Sequence, residues 1–124
     1  LPGFQPQLTL PLYPGACDIQ LMPYGSCIAG SSGGDSSAFC SPMKMFDYLA
    51  AGRAILTSDL PVIHEVLNEG NALFCPPDDL PAWQQALAAL INDESLRLRL
   101  SEQARRDAQR YTWRARAEAA LADF

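Results

Sequence analysis

The sequence predicts a doubly wound α/β fold, in which one parallel β-sheet is covered by helices on both faces. Three short apolar runs, 17–24, 54–59 and 72–77, read as strands and alternate with segments of helical character. Strands that are apolar throughout, rather than in alternation, are typical of parallel sheets buried on both faces. The 124 residues suffice for one hydrophobic core but not for two, so we expect a single domain.

The first helices are predicted from the signals at their ends. An irregular helix is expected over 7–16, where two prolines disturb the pattern. A second helix begins at Ser41, an N-cap followed by proline, and ends before Gly52. A short third helix is expected over 60–70, with Asp59 capping its start.

The last third of the chain is predicted to be wholly helical. Three helices are expected over 78–93, 94–111 and 113–124, with an aspartate, Asp93 and Thr112 as their respective N-caps. The apolar side chains expected to face the core are Leu80, Trp83, Leu87, Leu90 and Ile91 in the first of these helices and Trp113 in the last.

The predicted sheet is small for its class. Doubly wound domains usually carry about five or six strands, and the sequence shows three clear ones. Residues 1–4 could be the tail of a fourth strand. We therefore expect the chain to begin in the middle of a domain that is truncated at its N-terminal end.

Composition and charge exclude some classes of function. The formal charge of −5 argues against nucleic acid as a partner, because phosphate backbones are bound mainly by lysine and arginine. No apolar run reaches the ~20 residues of a membrane span, and the start has no basic segment typical of a signal peptide. A small phosphate ligand stays compatible with this composition, since helix dipoles and a few cations can hold one nucleotide.

The cysteines and the histidine predict no metal site. The four cysteines, Cys17, Cys27, Cys40 and Cys75, form no C-x-x-C pair, and the only histidine is His64. Cys17 and Cys75 lie in apolar runs, where we expect them to be buried and to act as small hydrophobic residues. Reduced structural thiols favour a cytoplasmic location.

Two charges stand on the first two turns of the helix that begins at Ser41. Lys44 and Asp47 lie three residues apart on one side. The side chains expected on the core side are Met43, Phe46, Leu49 and Ala50. The charges could form a surface ion pair, or Lys44 could bind a diphosphate and Asp47 the hydroxyl groups of a ribose. The second alternative fits the place where doubly wound folds bind ligands, between strand carboxyl ends and helix N-termini.

Two further segments leave alternatives open. Gly33 and Gly34, in the small-residue loop 31–37, could bring backbone amides close to a phosphate, or the loop could be a flexible connector. A set of arginines near the C-terminus could form a solvated face, or a patch for a membrane or an acceptor. They are Arg105, Arg106, Arg110, Arg114 and Arg116.

Three motifs carry a resemblance to a known family. The segments are SPMKMFDYLAAGRAILTSDLPVIHEVL, then GNALFCPPDD, then YTWRARA. In this order and spacing they resemble the C-terminal half of group 1 (family 4-type) GT-B glycosyltransferases, over roughly 8–117. The resemblance implies a Rossmann-like domain that binds a nucleotide-sugar donor, with Ser41 and Lys44 beside the diphosphate. Asp47 falls where the family has the second glutamate of its E-x7-E motif, and Phe39 stands in place of the first.

The resemblance also implies an activity. In the intact enzyme it would be retaining transfer of a sugar from a UDP- or GDP-linked donor, with no cofactor and no essential metal. The N-terminal acceptor domain of the family is missing from this sequence, so the isolated chain is expected to be inactive or nearly so. The candidate donor-binding residues are Ser41, Pro42, Met43, Lys44, Asp47, Gly33 and Gly34.

The competing class is a non-catalytic module that binds a nucleotide or another protein. Two features of the intact protein are also expected. The intact enzyme could associate with a membrane surface. An exposed edge of the sheet could pair with a second copy.

Overall fold

The computed structural model of the chain describes residues 6, 8–9, 12–25 and 44–122. The helices and strands within these ranges are α1 (Leu12–Ala16), β1 (Ile19–Met22), α2 (Lys44–Ala51), β2 (Ala54–Ser58), a 3₁₀ helix (Ile63–Glu65), β3 (Leu73–Cys75), α3 (Leu80–Asn92), α4 (Glu94–Ala108), a second 3₁₀ helix (Gln109–Tyr111) and α5 (Trp113–Ala122). All three predicted strands are present.

The strands form one parallel sheet in the order β1-β2-β3. Ile19 lies opposite Ala54 in the first pair of strands, and Leu56 lies opposite Leu73 in the second. Three parallel strands with helices around them form a Rossmann-like α/β arrangement, as expected. The doubly wound order of a larger sheet and a truncated N-terminal end remain predictions.

The core is built on both faces of β2, whose five residues are all buried. Successive side chains of a strand point to opposite faces. Ile55 accordingly lies in one apolar cluster, with Met45, Leu49 and Ala104, whereas Leu56 lies in another, with Leu90. Burial on both faces explains why β2 reads as a continuous apolar run.

Helix α2 packs beside α4 over one face of the sheet. Met45 and Leu49 are fully buried, and Phe46 is half-buried against the ring of Tyr111, at 5.3 Å between ring centroids. The predicted core side was therefore wrong in one respect, because Ala50 is exposed and Met45 takes the buried place. Ala104 of α4 lies in the same apolar cluster as Met45 and Leu49, so the buried face of α2 is directed toward α4 as well as toward the sheet. Met43 lies outside the described residues.

The predicted caps of the C-terminal helices are confirmed. The Asp79 carboxylate accepts a hydrogen bond from the Ala82 amide at 3.1 Å, and Asp93 accepts one from the Leu96 amide at 3.0 Å. Thr112 Oγ1 accepts one from an amide of α5 at 3.1 Å. The helix predicted over 94–111 ends as α-helix at Ala108 and continues as a 3₁₀ turn.

Several side chains predicted to be buried are exposed. Trp113 is 80% exposed, and α5 has no buried residue among those described. Leu80 and Ile91 are also exposed, while Trp83 is half-buried and donates its indole N–H to the Pro76 carbonyl at 3.0 Å. Helical spacing shows which residues share a face, but a face is buried only where another element covers it.

Asp59 does not cap the short helix that follows it. The residue at the N-cap of this 3₁₀ helix is Val62, and no side chain makes a capping hydrogen bond there. The Asp59 carboxylate instead bonds to the imidazole of His64. A side-chain partner five residues away is therefore preferred to the local backbone.

The turn after α2 requires glycine. Gly52 has φ +64°, a conformation that costs an L-residue roughly 1–2 kcal/mol. A Cβ at this position would lie 2.6 Å from Nε of Arg105. The predicted helix end at Gly52 thus coincides with a close contact to α4.

We expect Gly52→Ala to lower the free energy of unfolding in urea by about 1–2 kcal/mol. Gly15→Ala is the matched control, because a Cβ on Gly15 would meet no atom within 4 Å. The control should leave stability unchanged or raise it by up to about 1 kcal/mol, because glycine is disfavoured within a helix. Equal urea midpoints for the two variants would contradict the strained turn and its contact with Arg105.

Candidate functional site

The carboxyl ends of the three strands meet at one edge of the sheet because the strands are parallel. We refer to this edge as the carboxyl edge. It is formed by Met22 of β1, Ser58 of β2 and Cys75 of β3, with the residues that directly follow each strand. Any candidate ligand-binding residue has to be judged by its position relative to this edge.

The buried side chain of Ser58 links the ends of β1 and β2 at the carboxyl edge by hydrogen bonds. Its Oγ accepts a hydrogen bond from the Tyr24 amide and donates one to the Tyr24 carbonyl, both at 2.7 Å. The main chain after β1 is thereby tied to the last residue of β2. The sequence offered no sign of this pair, because the two residues are 34 positions apart.

Lys44 lies at the carboxyl edge next to Tyr24. Its Nζ stands 4.8 Å from the centroid of the Tyr24 ring. The ring is half-buried and packs against the apolar cluster that contains Met22. A cation over an aromatic face is attracted by the ring quadrupole, and its charge is retained.

Asp47 is exposed one turn further along α2. It makes no ion pair with Lys44; in the described ranges, the one contact within 4.0 Å between an acidic and a basic side chain joins Asp59 and the His64 imidazole. Tyr48, the next residue of α2, donates its hydroxyl to the Leu21 carbonyl at 3.4 Å. The structure therefore does not contain the surface ion pair between Lys44 and Asp47, and neither charge is paired with another described residue.

The other candidate donor-binding residues lie outside the described residues. They are Ser41, Pro42, Met43, Gly33 and Gly34, and the same holds for Phe39. Their roles stay predictions. The structure thus places Lys44 and Asp47 alone of the candidate set, and it places Lys44 beside Tyr24.

A second polar group at the carboxyl edge was not predicted. His64 Nε2 lies 2.5 Å from Oδ1 of Asp59, and the imidazole stacks on the Phe74 ring at 4.1 Å between centroids. The sequence interpretation gave Asp59 the role of a helix cap. Asp59 and His64 are hydrogen-bonded to each other, whereas Lys44 has no acidic partner among the described residues.

An apolar groove of about 430 Å³ lies on the opposite face of the sheet from α2. It is bordered by Leu21, Pro23, Trp83 and Leu87, and Leu56 forms part of its floor. Leu56 belongs to the cluster beneath α3, not to that beneath α2. The groove therefore does not contain the two charges of α2.

The cysteines behave differently from one another. Cys17 is exposed, contrary to the prediction, and its thiol bonds to the Tyr13 carbonyl at 3.2 Å. It stands before β1 rather than within it, so the sheet does not cover it. Cys75 is buried as expected, and burial raises the pKa of its thiol, with a further increase from the Asp79 charge. Within the described ranges, no group of three potential metal ligands comes together.

Of the C-terminal arginines, Arg105 and Arg106 border one pocket of about 300 Å³, together with Glu102 and Gln109. Arg105 directs its guanidinium to the Gly52 carbonyl at 3.5 Å, and Arg106 donates to the Glu102 carbonyl of its own helix. Arg116 lies over the Trp113 ring at 5.3 Å. Most of this set accordingly makes structural contacts with neighbouring turns or helices.

Comparison with known proteins gives the family. Residues 26–122 match the model of a family described as glycosyl transferase-like. The chain belongs to this glycosyl transferase-like family. The match includes α2 and all elements after it, so the candidate charges lie inside the family domain.

Two relatives of this glycosyl transferase-like chain are mannosyltransferases. It is 46% identical over 39 residues to the O-antigen chain mannosyltransferase RfbU of Salmonella typhimurium, and this match covers 32% of the chain and 11% of that protein. It is 29% identical over 87 residues to the phosphatidyl-myo-inositol mannosyltransferase of Mycolicibacterium smegmatis, which covers 63% of this chain and 22% of that protein. The matched part is therefore a small share of each relative.

Among the helices that the structure describes, none has the length and apolar character of a membrane span.

The two described thiols should differ in reactivity. At about pH 8, the exposed Cys17 should react with iodoacetamide in the folded protein, and the buried Cys75 should not, because its raised pKa leaves less thiolate. Peptide mass spectrometry after timed alkylation measures both. In urea Cys75 should become as reactive as Cys17, and early modification of Cys75 without urea would contradict its burial.

Proposed function

We propose that the chain is the C-terminal, donor-binding domain of a GT-B glycosyltransferase of the group 1 (family 4) type. The intact protein would transfer a sugar from a nucleotide-diphosphate sugar to an acceptor, with retention of configuration and without an essential metal or other cofactor. The observation that carries this proposal is the placement of Lys44 at the carboxyl edge, with Asp47 one turn along α2 and no ion pair between them. Membership of the glycosyl transferase-like family supports it.

Lys44 is proposed to bind the diphosphate. The N-terminus of a helix carries about half a positive charge, and a lysine beside it adds a full one. In glycosyl transfer the nucleoside diphosphate departs with growing negative charge. A cation held at that place stabilises the departing group more than it stabilises the bound donor, and this difference lowers the barrier.

Asp47 is proposed to bind the ribose of the nucleotide. An ionised carboxylate has two oxygens and can accept from both hydroxyls of a diol. Its side chain is exposed on the side of α2 that is free of the core. Aspartate is one methylene shorter than the glutamate of the family, so the ribose would lie about 1.5 Å closer to α2.

The sugar is proposed from the relatives. Both matched proteins are named as mannosyltransferases, although the acceptors in their names, an O-antigen chain and a phosphatidyl-myo-inositol, are unlike each other. The shared element of the names is the transferred sugar. A mannose-bearing nucleotide sugar is therefore the first donor to test on the intact protein.

Calorimetric titration of the chain with UDP, GDP, ADP and inorganic diphosphate tests the donor site. At least one nucleoside diphosphate should bind with a Kd below about 1 mM. Lys44→Ala should weaken binding of that nucleotide and of inorganic diphosphate by about tenfold or more, because a charge-assisted contact is lost. Asp47→Asn should weaken the nucleotide alone, since inorganic diphosphate has no ribose.

Lys44→Ala and Asp47→Asn each have a control variant elsewhere in the chain that changes the net charge by the same amount. Arg99→Ala removes an exposed positive charge on α4, and Asp18→Asn removes an exposed carboxylate at the opposite end of β1. Neither should alter nucleotide affinity beyond about twofold. Absence of binding for every nucleotide would favour the non-catalytic alternative of a protein-interaction module. Equal losses for Lys44→Ala and Arg99→Ala would show a general charge effect instead of a site.

A further inference from the structure

Among the described residues, Lys44 contacts an aromatic ring and no carboxylate. A lysine side chain is long and flexible, and ordering it costs conformational entropy. A carboxylate partner would order it but would also cancel its charge toward an incoming anion. The Tyr24 ring, 4.8 Å from Nζ, attracts the ammonium group and leaves its full charge in place.

The ring itself is fixed by its main chain. Both polar groups of the Tyr24 backbone are bonded to the buried Oγ of Ser58, each at 2.7 Å. The ring packs against the apolar cluster of α2 and β2. The position of the Lys44 ammonium group is thus linked, through Tyr24, to the end of the central strand.

We infer that Tyr24 is a positioning residue for Lys44, and that Ser58 holds Tyr24 in place for this purpose. This inference rests on the proposed donor site and deepens it. The anion that Lys44 receives is a diphosphate, and Tyr24 keeps the ammonium group at the carboxyl edge before the ligand arrives. A preordered cation binds an anion more tightly, because less side-chain entropy is lost on binding.

Substitutions of Tyr24 that keep or remove the ring test the inference. Tyr24→Phe keeps the ring face and should bind inorganic diphosphate and the preferred nucleoside diphosphate nearly as the parent does. Tyr24→Leu keeps an apolar side chain but removes the ring, and it should weaken both by about two- to fivefold. Ser58→Ala should change affinity in the same direction as Tyr24→Leu. Affinity for the nucleoside without phosphates should stay unchanged in every variant.

A double-variant cycle separates positioning from general structural damage. In a Lys44→Ala background, Tyr24→Leu should cause no further loss of diphosphate affinity. Circular dichroism and urea midpoints establish that each variant is folded. The inference is wrong if Tyr24→Leu binds diphosphate as tightly as the parent does. It is also wrong if Tyr24→Leu lowers diphosphate affinity by the same factor in the presence of Lys44 and in the Lys44→Ala background.

A readout without ligand distinguishes this inference from the proposed function. Protons close above an aromatic face resonate upfield, so the ε-methylene protons of Lys44 should be shifted upfield in the parent and in Tyr24→Phe, and not in Tyr24→Leu. An upfield shift together with failure of the parent to bind any diphosphate would overturn the proposed function and the positioning role, while confirming the contact. Normal shifts in the parent would overturn the inference and leave the donor site standing.

Discussion

Parallel pairing of the buried strand β2 with a strand on each side is the constraint on which the rest of the protein depends. Ile55 and Leu56 point to opposite faces of the sheet, and each lies in a separate apolar cluster. The helices that complete these clusters can pack only where the two faces allow. Because all strands run the same way, their carboxyl ends share one edge, and α2 begins there. The position of Lys44 is therefore a consequence of topology.

The carboxyl edge carries two polar groups that differ in their partners. Asp59 and His64 bond to each other, and the imidazole is further engaged with the Phe74 ring. Lys44 is engaged with a ring that does not neutralise it, and Asp47 is exposed without an ion pair to a described residue. An unneutralised cation and a separate carboxylate on the same helix suit a ligand that has both phosphates and hydroxyl groups. Membership of the glycosyl transferase-like family agrees with that chemistry.

Local signals were sufficient for most of the fold, and they were insufficient for contacts between distant residues. The cap at Asp93 depends on its neighbours in the chain, so sequence reasoning found it. That Met45 lies in the core and Ala50 does not depends on packing against α4. The exposure of Trp113 depends on what packs against α5. Neither is encoded within a helix. Of the site, the charges of α2 were predictable from spacing, whereas the ring of Tyr24 beside Lys44 was not.

The most direct measurement of the central claim is a map of backbone amide chemical shifts of the chain on addition of a nucleoside diphosphate. The account predicts that the largest changes fall at the carboxyl edge, at Tyr24 and over the first turn of α2, 44–47. The amides of Ile19 and Arg53, at the opposite ends of β1 and α2, should change little. Largest changes at that opposite edge or along the arginines of α4, or no changes at saturating nucleotide, would contradict a donor site built on Lys44.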